Sequence, residues 1–167
     1  SATQLSDPSL GTRILSILGT ADFKPHRLEL EITETALVER MEIAQKVIGQ
    51  LRSAGVRIAL DDFGTGYATL GQLLSFRIDR IKIDSRFVKK LHKDNNSLII
   101  VRAILGLADE LGLAVTAEGI ESAEQLATLK ANGCREGQGY LFAGPVAAGD
   151  VPSVLMKISG ASQPSTA

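Results

Sequence analysis

One cysteine, two histidines, no excess of either charge and no long apolar run: the chain is defined first by what it has little of. A single cysteine, Cys134, excludes an intramolecular disulfide and a cysteine-rich zinc cluster, and suits a reducing compartment. Cys134 is expected to be a small buried hydrophobe. The balance of 18 basic against 19 acidic residues removes the electrostatic footprint needed to bind polymeric nucleic acid or an anionic membrane. A small anionic substrate held through a metal stays open. No stretch approaches the roughly 18 uninterrupted apolar residues of a membrane span. The start, "SATQLSDPSLGTR", lacks the basic and apolar segments of a signal peptide, so no membrane segment is expected in this chain and the setting is expected to be cytoplasmic. His26 and His92 fall in expected loops away from strand ends, where solvent exposure is the plainest reading.

With 167 residues, 44% of them hydrophobic, the chain is long enough for one domain with a substantial core. Short apolar runs alternate with longer helical patterns, the signature of repeated strand-helix units around a parallel sheet. Five strands are expected, over 27–33, 56–61, 79–84, 113–118 and 134–140. Helices are expected over 36–53, 67–76, 96–111, 121–132 and 148–158, with another before the first strand that starts on Ser6 or Asp7 as N-cap and has Pro8 at its first position. Gly55, Gly112 and Gly133 each stand where a helix hands over to a strand, as C-terminal caps do. Met41 and Met156 fit helix-face packing. The last residues, "SGASQPSTA", are small and polar, and disorder is expected over 159–167.

Successive strand side chains point to opposite faces. Leu28, Leu30 and Ile32 therefore oppose Glu29 and Glu31; Ile58 and Leu60 oppose Ala59 and Asp61; Ile81 and Ile83 oppose Arg80 and Lys82; Val115 and Ala117 oppose Thr116 and Glu118. Each strand has one apolar face for covering helices and one that ends in a charge. Parallel strands with right-handed crossovers bring their C-terminal ends to one rim. If the sheet curls into a barrel, Glu31, Asp61, Lys82 and Glu118 share its mouth, where barrel enzymes build their sites. A doubly wound sheet would want apolar residues on both faces, so the barrel is the favoured α/β architecture.

The adjacent Asp61 and Asp62 have a plain reading as a turn, with Gly64 and Gly66 supplying positive φ. Together with Glu31 and Glu118, however, they make four carboxylates that would repel one another unless divalent cations are bound. Oxygen donors suit Mg²⁺ or Mn²⁺, and a bridging carboxylate suggests a two-metal site of the kind that hydrolyses phosphoesters. Lys82 reads either as an ion-pair partner that keeps the mouth neutral, or as a group that holds the attacking water or stabilises phosphoryl charge. "DFG" at 62–64 matches the metal-binding tripeptide of protein kinases, but no "HRD" or "GxGxxG" accompanies it, so that reading is rejected.

Five ordered segments carry a family resemblance: "ELEITET" (29–35), "ALDDFGTGYATL" (59–70), "IDRIKIDSRFV" (78–88), "VTAEGIES" (115–122) and "GCREGQGYLFAGPV" (133–146). Together they closely resemble the EAL family of cyclic di-GMP phosphodiesterases. The resemblance implies a modified TIM-type barrel and Mg²⁺- or Mn²⁺-dependent hydrolysis of cyclic di-GMP to linear pGpG, with Ca²⁺ inhibitory. It implies Glu31, Asp61 and Asp62 as metal ligands, with Asp61 bridging. Lys82 matches the lysine that contacts the metal-bound water, Glu118 the general base or second-metal ligand, and Gln138 a glutamine ending the last strand. Glu34 is similar to the glutamate anchoring the loop after the double aspartate, and Asp84 and Glu121 to supporting polar residues. Phe63, Gly64, Thr65, Gly66 and Tyr67 correspond to a mobile loop that in the family contributes to dimer contacts, so a homodimer is expected.

The pattern is also departed from. The Glu-Ala-Leu strand that names the family, and the arginine after it, are not in this sequence, and Ser1 resembles the serine of a ligand strand ending in Asn-x-Ser. A barrel of this type runs to about 250 residues. Residues 1–158 are therefore expected to be the C-terminal two-thirds of such a domain, with about five of the barrel strands. The 167-residue chain alone is expected to hydrolyse cyclic di-GMP poorly, while its parent, which can carry a sensory or GGDEF domain or a membrane anchor upstream, is active. The alternative is an inactive module that binds cyclic di-GMP or dimerises.

Overall fold

The computed structural model describes residues 1–39, 41–64, 71 and 75–161. A short helix α1 (Ala2–Leu5) and α2 (Leu10–Thr20) precede a 3₁₀ turn at Pro25–Arg27 and strand β1 (Glu29–Thr33). Then follow α3 (Glu34–Glu39), α4 (Met41–Ser53), β2 (Arg57–Phe63), β3 (Arg80–Ile83), α5 (Ser85–Lys89), α6 (Asn95–Leu111), β4 (Ala114–Ala117), α7 (Ala123–Ala131), β5 (Glu136–Gly137), a 3₁₀ turn at Ala148–Asp150 and α8 (Val151–Ala161). The five strands lie in the order β1-β2-β3-β4-β5, every pair parallel. This is the expected α/β arrangement of successive parallel strands with covering helices.

The apolar strand face forms the core. Ile58, Leu60, Ile81, Ile83 and Ala117 are completely buried. Against them stand Val47, Ile48 and Leu51 of α4, Val88 of α5, Val101, Ile104 and Ala108 of α6, and Leu129 of α7. In α4 the buried positions Ala44, Val47, Ile48 and Leu51 recur at helical spacing, so one stripe meets the sheet. Helix α6 opens on Asp94, whose carboxylate accepts the Asn96 N–H, and closes on Gly112 in the left-handed conformation. Gly55 and Gly133 also have positive φ, as expected of helix-to-strand caps. Cys134 is buried, and burial pushes its thiol pKa up.

Several expectations need correction. The first long helix starts at Leu10 on Ser9 rather than on Ser6 or Asp7. The Asp7 carboxylate instead accepts from the Ser9 N–H at 2.9 Å and the Ser9 hydroxyl at 2.7 Å, closing a turn that contains Pro8. The local side-chain turn wins over helix initiation. The helix expected over 36–53 is two, α3 and α4, with residue 40 outside the described residues. Most of the helix expected over 67–76 also lies outside them. The final helix runs from Val151 to Ala161 rather than over 148–158, with Pro152 in its first turn, where a missing N–H is harmless. Helical residues thus reach past 158, and 162–167 lie outside the described residues. Met156 does not pack: it is 69% exposed. The fifth strand is two residues long, because the chain bends tightly over Ile120. Among the described residues no helix is long and apolar enough to cross a membrane.

Candidate active site

Lys82, next to last in β3, is the centre of the charged face. Its side chain is only 7% exposed, yet it is surrounded by carboxylates. Nζ lies 2.7 Å from Oε1 of Glu31, 2.7 Å from Oε1 of Glu118 and 3.4 Å from Oδ1 of Asp61. These three come from β1, from the residue after β4 and from β2, so one ammonium joins the C-terminal ends of four neighbouring strands. Glu118 is held there because its N–H bonds the Ile83 carbonyl at 3.1 Å, extending the β3–β4 pairing by one residue. Burial acts to lower the Lys82 pKa, but hydrogen bonds to Glu118 and Glu31 and the charges of Glu118 and Asp61 outweigh it and hold the ammonium above its ordinary value.

The aspartate pair sits on a break in the ladder. Leu60 pairs with Ile81 and Phe63 with Ile83, so β2 carries one extra residue between these rungs. Asp62 takes a φ of 58°, unusual for a residue other than glycine but tolerated by aspartate. Its N–H bonds Oδ1 of Asp61 at 3.1 Å. The bulge breaks the strict alternation that would turn adjacent side chains to opposite faces: Asp61 reaches Lys82 while Asp62 interacts with Asp84. Burial first, then the charges of Asp61 and Asp84, push the Asp62 carboxyl above its usual range.

Asp84 is buried and caps α5. Its carboxylate accepts from the Arg86 N–H at 2.7 Å and pairs with the Arg86 guanidinium at 2.8 Å and 3.0 Å. Those Arg86 hydrogen bonds hold the Asp84 pKa below its ordinary value. Arg86 was not anticipated as part of the site; an aspartate at a helix start with an arginine two residues on was its signal. Gly119, after Glu118, has a φ of 68°, and a Cβ there would stand 2.5 Å from the Ser85 Cβ. Only glycine lets the chain leave Glu118 past the start of α5.

The remaining candidates lie around this centre. Gln138 is exposed and fixed by its backbone, with its N–H on the Ala117 carbonyl at 2.8 Å and its carbonyl accepting from the Ile120 N–H at 3.1 Å. Glu121 is half-exposed and pairs with Lys89 at 2.9 Å. Glu34 is buried at the start of α3. Phe63 ends β2 and Gly64 follows it, whereas Thr65, Gly66 and Tyr67 lie outside the described residues. Both histidines are exposed, as expected.

Whether the donors fit a metal is a question of chemistry and convergence. Among the described residues no three acidic, histidine or cysteine side chains already form a cage. The Lys82 ammonium is nevertheless a cation on which three carboxylates converge, and those carboxylates are part-exposed, with Glu31 at 50%, Asp61 at 23% and Glu118 at 20%. Carboxylate oxygens that gather on one positive charge while keeping access to solvent are the donor type hard divalent cations take. The set fits.

The chain is also similar to known proteins over most of its length. The chain is 45% identical over 148 residues to the Escherichia coli cyclic di-GMP phosphodiesterase PdeR, covering 89% of this chain and 22% of that protein. It is 38% identical over 146 residues to the Pseudomonas aeruginosa cyclic di-GMP phosphodiesterase PA2567, covering 87% of this chain and 25% of that protein. The chain thus spans about a quarter or less of the length of these curated relatives. Among solved structures, the EAL domain of Mycobacterium smegmatis DcpA superposes with a TM-score of 0.86 at 35% identity, over 93% of this chain and 70% of that one. A manganese/cyclic di-GMP complex of Klebsiella pneumoniae BlrP1 superposes with a TM-score of 0.78 at 34% identity, over 85% of this chain and 36% of that one. A calcium/cyclic di-GMP complex of the same protein matches equally well. Since EAL domains form TIM-type barrels, the five parallel strands are strands of such a barrel. The EAL domain profile itself matches residues 1–145, most of the sequence, and the chain belongs to the EAL domain family.

Proposed function

We propose that this chain carries the larger part of a metal-dependent site that hydrolyses cyclic di-GMP to linear pGpG. The observation that carries the reading is the convergence of Glu31, Asp61 and Glu118 on Lys82 at the ends of neighbouring strands, in a family whose relatives are named cyclic di-GMP phosphodiesterases. Glu31, Asp61 and Asp62 would hold two Mg²⁺ or Mn²⁺ ions, with Glu118 as a further ligand or as general base. Bound there, the ions supply Lewis-acid activation of the phosphodiester. The chain's own residues do the rest: Lys82 orients the attacking water and offsets charge on the phosphoryl oxygens, and Asp84, tied to Arg86, steadies Asp62. One water is consumed, one P–O3′ bond breaks, and the leaving 3′ oxygen takes the proton. Glu34 supports the loop 63–67, Glu121 the segment after Glu118, and Gln138 lines the rim. Association into a homodimer through that loop, and a cytoplasmic setting, belong to the same proposal.

Turnover of cyclic di-GMP with Mg²⁺ and with Mn²⁺ tests the reading, in the 167-residue chain and in a version extended at the N-terminus. The extended protein is expected to release pGpG, the chain alone to do so poorly, and Ca²⁺ to support binding without cleavage. An extended protein that binds the nucleotide in Ca²⁺ and never cleaves it in Mg²⁺ or Mn²⁺ is a binding module instead.

A further inference from the structure

Beneath the charged rim lies a second charged layer centred on Arg80, two residues before Lys82 on the same face of β3. The Arg80 side chain is 13% exposed. Nε lies 3.0 Å from Oε1 of Glu29, and Nη1 donates to Oγ1 of Thr116 at 2.7 Å and to Oε2 of Glu136. One guanidinium therefore ties together β1, β3, β4 and β5. Each member of this layer stands two residues before a member of the rim: Glu29 before Glu31 within β1, Arg80 before Lys82 within β3, and Thr116 and Glu136 before Glu118 and Gln138, which directly follow β4 and β5 and are held by backbone hydrogen bonds to Ile83 and Ala117.

We propose that Arg80 is a positioning residue, a fork whose reach to Glu29, Thr116 and Glu136 sets the strand separations that bring Glu31, Lys82 and Glu118 together. The catalytic part of this inference rests on the function proposed above. Its physical ground is that a strand is stiff over two residues, so fixing one rung fixes the side chain directly above it. The planar guanidinium reaches three partners in fixed directions, which a point-charge ammonium does not. If Arg80 served only to neutralise two glutamates, lysine would replace it; if the fork sets distances, lysine fails.

The test is Arg80→Lys, read in two ways. In the 167-residue chain labelled with ¹⁵N-lysine, the ammonium signal of Lys82, assigned by its loss in Lys82→Met, reports the geometry of the rim without metal or substrate. It is expected to move in Arg80→Lys. In the extended protein, kcat for cyclic di-GMP is expected to fall about 10–100-fold, the range seen when the partners that orient ligating residues are removed, with KM changed by less than about threefold. A folded Arg80→Lys with the Lys82 signal in place, or with kcat unchanged in an active extended protein, overturns the proposal. Should Arg80→Lys fail to fold, the uncharged variant Glu29→Gln/Arg80→Met/Glu136→Gln takes its place with the same readouts. Absence of turnover in the unsubstituted extended protein would defeat the proposed function, and the Lys82 signal alone would then decide the role of Arg80.

Discussion

The two faces of β2, β3 and β4 are made from the same strands and follow opposite rules. On the helix side Ile58, Leu60, Ile81, Ile83 and Ala117 are fully buried and nondirectional, and any well-packed set of similar volume would serve. On the other side Arg80 and Lys82 are nearly as buried, but each is surrounded by oxygen acceptors at hydrogen-bond distance. The first face holds the strands together, and the second spends stability on placing charges. The contrast teaches that burial alone does not mark the core here: what separates the faces is whether a buried group needs a partner in a particular direction.

The largest effect should come from the apolar face. Ile81→Ala is expected to destabilise the chain by about 2–5 kcal/mol, measured by denaturant unfolding, through lost contacts and the cavity left in the core beneath α6. Its effect on kcat in protein that remains folded should be small by comparison. A folded Ile81→Ala that is stable but inactive would break the division of labour.

Lys82→Met should reverse the pattern. We expect kcat in the extended protein to fall by about 10²–10³, the cost of removing a group that stabilises developing charge. Stability should drop by about 1–3 kcal/mol, because the three carboxylates left behind lose their partner yet keep access to water. Added Mn²⁺ should recover part of that loss in thermal unfolding, as a ligand that binds only the folded state does. A melting temperature indifferent to Mn²⁺ would count against Glu31, Asp61 and Glu118 as metal donors.

Gly139→Ala tests the seam where the fifth strand gives way to its bend. A Cβ there would lie 2.2 Å from the Ile120 carbonyl oxygen and 2.3 Å from its nitrogen, backbone atoms that cannot swing aside. A loss of about 1–3 kcal/mol is expected by thermal or denaturant unfolding. The smallest effect belongs to the outside of α8, where Met156→Lys should change stability by no more than about 0.5 kcal/mol. A larger change in the same measurement would mean that this exposed surface is covered in solution.

Much of this was legible in the sequence because it depends on period and chemistry. Alternation in "DRIKID" was enough to assign Ile81 and Ile83 to one face and Arg80 and Lys82 to the other, and the glycines at 55, 112 and 133 marked where helices end. The helix starts were less legible. Asp7 and Ser9 compete for the same local hydrogen bonds, and whether such a pair caps a helix or closes a turn depends on small energy differences. Met156 misled because an apolar residue at helical spacing packs only if something lies opposite it. Arg86 is not legible from sequence because its role depends on Asp84 taking the N-cap of a five-residue helix, too short to announce itself by periodicity.

By itself the sequence determined which residues are apolar, which are charged, and on which side of each strand they stand, because side-chain alternation is built into the extended backbone. It also carried the ordered motifs that mark the family. Only the tertiary structure decided that Lys82 meets Glu31, Asp61 and Glu118 at one point. In the strand register Glu31 is level with Ala59, and Ala59 with Arg80, so Lys82 stands two rungs further along; their contact depends on the stagger and tilt of neighbouring strands. The bulge that takes Asp61 to Lys82 while Asp62 turns to Asp84 is likewise a property of the pairing between β2 and β3. Distances between strands are set by the packing of all of them together, and no single segment contains that information.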